Sequence, residues 1–166
     1  ELSQIKNSYK KQPQNLPYKH LVTLSQSKSS LEEIIETLIK TKEITKINDY
    51  DRKRLDKRIK SIKEWLENYA PESLKFKIQD EPPIMDFNME DKEKIRAIKK
   101  KMENISWTAE KIHESFYEIQ DEQNIPAKEL FKIMYNIILN KERGPRLGFF
   151  LATIEKDFVI KRLEHY

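Results

Sequence analysis

Near its C-terminal end the chain reads Lys141-Glu142-Arg143-Gly144-Pro145-Arg146-Leu147-Gly148-Phe149-Phe150. This stretch concentrates groups that recognise nucleic acid. Arg143 and Arg146 carry planar guanidinium forks suited to phosphates and base edges, and Lys141 adds a compact charge. Phe149 and Phe150 are flat surfaces on which an unpaired base can stack. Gly144 and Gly148 permit close approach of a backbone, and a helix opening near Pro145 would aim free N–H groups at phosphate. Two residues upstream extend the set: Trp107 as a stacking platform and His113 as a hydrogen-bonding partner for a base. Each has a structural alternative. Adjacent Phe residues cannot face one way on a helix, so at least one is expected in a core. A Trp at a helix start anchors packing, a His commonly serves structure, and a Gly-Pro-Arg turn can simply join two helices.

Other chemistry is missing. There is no Cys, so neither a disulfide frame nor a thiolate metal site can form. His20, His113 and His165 are scattered, with no pair at metal-binding spacing. No phosphate-cradling glycine loop and no nucleophile elbow occur. Carboxylates alternate with Lys, the pattern of solvated helix faces rather than of a paired acid and base. No catalytic residue, metal or cofactor is therefore expected within these residues.

Composition points to helices. Only two Gly interrupt 166 residues rich in Lys, Glu, Ile and Leu, which disfavours a Gly-punctuated sandwich or barrel. Mean hydropathy is −0.82 with 36% charged residues, but the 37% hydrophobic residues are regularly spaced, which argues for a folded chain. A net charge of +4 suits a polyanionic partner without demanding one. No apolar run is long enough for a membrane span, and the missing Cys suits a cytoplasmic setting. The first residue is Glu1, not Met, which reads as a piece of a longer chain.

The elements that must position these residues follow from periodicity. Residues 1–17, with Pro13 and Pro17, read as a linker. A short helix carries Leu21, Val22 and Leu24. Ser30 with Glu33 forms a capping box before Leu31, Ile34, Ile35 and Leu38. The longest helix, about Tyr50 to Tyr69, places Leu55, Ile59, Ile62 and Leu66 on one stripe and a run of Arg and Lys from Arg52 to Lys63 on its other faces. That basic face is a candidate contact for a nucleic-acid backbone. Phe76 and Ile78 predict at most a short extended piece, and Pro82-Pro83 marks the best internal boundary.

Beyond it, Asn88 with Asp91 opens a helix bearing Ile95, Ile98 and Met102. Thr108 caps another with Ile112, Phe116 and Ile119. Asn124 ends that helix, and Pro126 starts one with a broad apolar face from Leu130 to Ile138. Arg146–Ile154 and Asp157–Leu163 read as two closing helices. The sum is an all-α protein of about seven or eight helices in two lobes, a first lobe over 18–81 and a second over 82–166.

The second half then stops looking generic. KIHESFYEIQDEQ at 111–123 and the stretch through NKERGPRLGFF to KRLE resemble the C-terminal signature of class I lysyl-tRNA synthetases. Matching positions are Ile112-His113, Phe131, Tyr135, Lys141 to Arg146 and Arg162-Leu163. Upstream, Trp65, Ala70-Pro71-Glu72 and Phe76-Lys77-Ile78 are similar to the family's Trp-containing helix and the segment after it. The resemblance runs from about residue 17 to the end, and its most specific part is the turn around Gly144-Pro145-Arg146. Asn140 stands where the family often has Gly, and a family Gly near Glu155 is missing.

The resemblance implies a helical-cage anticodon-binding domain whose partner is a lysine-accepting tRNA. It implies a separate catalytic domain of the same polypeptide that activates lysine with ATP and Mg; that domain's nucleotide-binding signatures are not in this chain. Two alternatives remain at this point: the anticodon-binding end of a glutamyl-tRNA synthetase, and a non-catalytic helical module that docks proteins.

Overall fold

The computed structural model describes residues 15–166. Among them are eight helices and no strand: α1 (Tyr18–Ser27), α2 (Leu31–Lys40), α3 (Asp49–Asn68), α4 (Met89–Glu103), α5 (Ala109–Gln123), α6 (Ala127–Leu139), α7 (Leu147–Ala152) and α8 (Lys156–Glu164). The linker expected over 1–17 lies largely outside the described residues. Leu16, its last apolar residue, is buried against the first core.

Local signals set the helix ends. Ser30 accepts from the Glu33 N–H while the Glu33 carboxylate accepts from the Ser29 N–H, so two otherwise unsatisfied donors are bonded before α2. Asn88 and Thr108 cap α4 and α5 through the N–H groups of Asp91 and Lys111. Asn48 caps α3, which starts one residue earlier than its periodicity suggested. Asn124 and Asn140 end α5 and α6 with φ of 56° and 53°, the left-handed conformation that Asn tolerates better than most residues.

The stripes assemble two cores. Leu21, Leu24, Ile34, Leu38, Leu55, Ile59, Ile62 and Leu66 join α1, α2 and α3. Ile95, Ile98, Met102, Ile112, Phe116, Leu130, Met134, Ile137, Val159 and Leu163 join α4, α5, α6 and α8, and Phe76 and Ile78 pack against them. Between the cores lies α7, whose six residues are all buried. Successive side chains on a helix diverge by about 100°. Phe149 thus enters the first core while Phe150 enters the second, edge-on to Phe76 at 5.4 Å.

Two buried cations brace the elements around the second core. Lys94 on α4 bonds Glu129 of α6 at 2.7 Å and Glu90 at 2.6 Å, and those carboxylates hold its ammonium well above the usual lysine range despite burial. Arg162 of α8, only 5% exposed, donates to the carbonyls of Gln79, Asp80, Glu81 and Ile137 and lies over the Phe158 ring. It thereby fixes the 79–81 segment to the end of α6.

Candidate nucleic-acid interface

The turn between α6 and α7 is built from α6 outward. Once Asn140 breaks the helix, the chain doubles back over the last turns of α6. Tyr135 donates its hydroxyl to the Pro145 carbonyl at 2.5 Å. A Cβ on Gly144 would stand 2.8 Å from the Tyr135 ring and 2.9 Å from Leu139 Cδ1, so only Gly fits this approach unmoved. Lys141 turns the other way. Its ammonium donates to the Lys75 and Glu72 carbonyls, joining the turn to the loop after α3. Glu142 pairs with Lys132 at 2.6 Å, and that partner, with a smaller contribution from Arg143, holds its carboxyl below the usual range.

This bracing leaves Arg143 and Arg146 exposed, with neither a hydrogen bond nor an ion pair from their side chains to the described residues. Tyr135 and Gly144 thus hold the backbone that carries two exposed guanidinium groups, whose charge and forked shape can receive an anion. Removing the brace tests this. Tyr135→Phe is expected to cost about 1 kcal/mol of unfolding free energy, the usual net worth of one hydrogen bond. Urea titration checks it, and an unchanged midpoint would show that the Pro145 carbonyl needs no donor.

The other sequence-selected residues fall differently. Phe149 is 3% exposed and Phe150 0%, so neither ring is available to a base. Phe149 instead stacks on His20 of α1, with centroids 3.7 Å apart and planes 9° from parallel. The apolar character of α7 on every side explains this: a helix apolar all round must be enclosed. Trp107 is half-buried, and its indole N–H is shared between the Leu151 and Ile154 carbonyls at 3.1 and 2.8 Å, which anchors the end of α7. Nor does Gly148 serve an RNA approach. A Cβ there would stand 2.5 Å from the Ala109 carbonyl and 3.0 Å from His113 Cβ, so Gly148 lets α7 lie against α5. With six buried residues, α7 presents no open helix start for phosphate.

That contact sets His113 beside the turn, and with it two rings that sequence reading did not select. His113 and Tyr117, one helical turn apart on α5, meet edge-on at 5.0 Å. Phe131, one turn before Tyr135 on α6, lies 6.4 Å from His113 and 6.1 Å from Tyr117. Tyr117 is 42% exposed. The i,i+4 spacing of His113 and Tyr117 was the available signal; periodicity could not show that Phe131 of another helix closes the cluster.

Fold and turn together define the class: a module that is all-helical among the described residues and presents two exposed arginines from a braced turn, next to a partly open aromatic cluster. The family model described as the anticodon binding domain matches residues 52–166, and the chain belongs to that family. Among curated proteins it is similar to the lysine–tRNA ligase of Thermococcus kodakarensis, 33% identical over 98% of this chain and 33% of that protein. The lysine–tRNA ligase of Pyrococcus horikoshii is 34% identical over 94% of this chain and 31% of its own length. That of Methanococcus maripaludis is 38% identical over 69% and 22%. The chain thus spans about a third or less of the relatives it matches. Among the described residues no cluster of potential metal ligands occurs, and no helix is long and apolar enough to cross a membrane.

Proposed function

We propose that this chain is the anticodon-binding region of a class I lysine–tRNA ligase and that it holds the anticodon loop of a lysine-accepting tRNA at the α6–α7 turn. The observation that carries the reading is the exposure of Arg143 and Arg146, whose side chains make no hydrogen bond or ion pair with the described residues, in a chain of the anticodon binding domain family. In an anticodon loop the bases are unstacked and the backbone is sharply bent, so recognition needs cations for phosphates, donors for base edges and flat surfaces for bases. Arg143 and Arg146 supply the first two. The face of His113 and Tyr117 supplies the third, in place of the enclosed Phe149 and Phe150.

In the whole enzyme, a catalytic domain of the same polypeptide would activate lysine with ATP and Mg and transfer it to the tRNA, in the cytoplasm. This region's share would be to select and position the tRNA.

Filter binding of a lysine tRNA, against one differing only in its anticodon, tests the assignment across a salt series. Preference for the lysine anticodon and a steep salt dependence are expected. Arg143→Glu or Arg146→Glu should each weaken binding by about 1–3 kcal/mol. Equal affinity for both tRNAs would remove the turn from anticodon reading. Binding to neither by a folded sample would remove the assignment altogether.

A further inference from the structure

Lys141 stands beside the two arginines in the sequence, where its charge suggests one more phosphate contact, yet the fold turns it elsewhere. Its half-buried side chain donates to the Lys75 carbonyl at 2.5 Å and to the Glu72 carbonyl at 3.2 Å. An ammonium has three donors, so two are occupied before any ligand arrives. The Glu72 carboxylate itself pairs with Lys75 at 2.7 Å. The acceptors of Lys141 are therefore main-chain oxygens, in a loop closed by its own bonds from Leu74 N–H to the Pro71 carbonyl and from Lys75 N–H to the Glu72 carbonyl.

That loop is anchored on its other side to α1. The side-chain oxygen of Gln26 accepts from the Phe76 N–H at 2.9 Å, and its amide donates to the Leu74 carbonyl at 3.3 Å. A path of hydrogen bonds thus runs from α1 through residues 72–76 to Lys141, two residues before Arg143. The bond from Tyr135 to Pro145 and the pair of Glu142 with Lys132 act within the α6–α7 hairpin and shape the turn. Lys141 reaches out of the hairpin and sets where the turn lies relative to α1. We propose that Lys141 is a positioning residue, which registers Arg143 and Arg146 against α1 through residues 72–76 and does not itself touch the tRNA. The inference rests on the reading that the α6–α7 turn receives the anticodon. A guanidinium fork reads a base edge only when its nitrogens line up with the acceptors. Attraction to phosphate falls off slowly with distance. A displaced turn therefore loses discrimination before it loses electrostatic attraction.

The test is filter binding across a salt series for wild type, Lys141→Met, Gln26→Leu and Arg143→Gln, each shown to be folded by circular dichroism. Probes are the lysine tRNA and its anticodon-changed counterpart. Lys141→Met keeps a long unbranched side chain and removes the donors. It should lower the preference for the lysine anticodon about fivefold, with a salt slope within about half a phosphate of wild type. Gln26→Leu changes no charge and should lower the preference in the same direction. Arg143→Gln should make the slope shallower by about one phosphate. A slope shallower by about one phosphate for Lys141→Met, with the preference intact, would make Lys141 a direct phosphate contact and overturn the proposal. Wild-type binding of both tRNAs by Lys141→Met, with Arg143→Gln still weakening it, would also overturn the proposal and leave the anticodon reading standing. If Arg143→Gln changes nothing either, both readings fall. Should Lys141→Met fail to fold, Gln26→Leu decides, and an unchanged preference there overturns the link.

Discussion

Replacing Arg162 with Met is expected to lower the unfolding free energy by about 3 kcal/mol, although no carboxylate among the described residues pairs with it. Four carbonyls accept from its guanidinium: Gln79 at 2.7 Å, Asp80 at 3.0 Å, Glu81 at 3.1 Å and Ile137 at 3.4 Å. Hydrogen bonds from a charged donor are each worth roughly 1.5–3 kcal/mol net, and Met fills the volume without replacing any of them. Water can reach the partly exposed carbonyls of 79–81 once the guanidinium is gone, which keeps the cost well below the sum. Arg162→Lys should recover little, because one ammonium cannot span the carbonyls that a planar fork reaches. Urea denaturation of the three proteins decides the matter. A loss under about 1 kcal/mol for Met, or full recovery by Lys, would show that the buried fork is not what holds the crossing segment.

Gly148→Val is expected to cost more than about 3 kcal/mol, enough to compromise folding of a marginal domain. A Cβ at 148 would meet the Ala109 carbonyl at 2.5 Å, and that oxygen belongs to the first turn of α5, which cannot swing aside as a side chain can. Gly148→Ala should cost less: it meets the same clash with one carbon, and it gains about 1 kcal/mol of helix propensity. Gly144→Ala should cost less still, since its nearest contacts are the Tyr135 ring and Leu139 Cδ1. In thermal melts of the three variants, Gly148→Val should melt lowest and Gly144→Ala highest. A Gly148→Val protein melting like wild type would mean that α7 and α5 can separate freely.

Arg162 and Gly148 also show where sequence reading stops. Arg162 was visible only as part of an Arg-Leu match near the end, and Gly148 as a residue that permits close backbone approach, without a sign that the backbone is that of α5. In each case the cause lies in a distant part of the chain, at 79–81 and at 109–113. The cationic turn stands out in the sequence because its charged residues and its family resemblance are contiguous. Phe149 and Phe150 were grouped with it because they are contiguous too, yet both are buried, since proximity in sequence says nothing of which side of a helix is enclosed.

By itself the sequence determined the helices and their ends. Ser30, Asn88, Thr108, Asn124 and Asn140 act on their own neighbours, through bonds and backbone angles that span a few residues. It determined the apolar stripes for the same reason, since a 3.6-residue repeat is a local property. Which groups of one chemical kind face solvent depends instead on long-range packing. Lys141 is taken up by carbonyls while Arg143 and Arg146 are exposed, and Phe149 fills a core while Tyr117 looks out. Exposure is settled by what packs against a residue from distant parts of the chain, and nothing local encodes it.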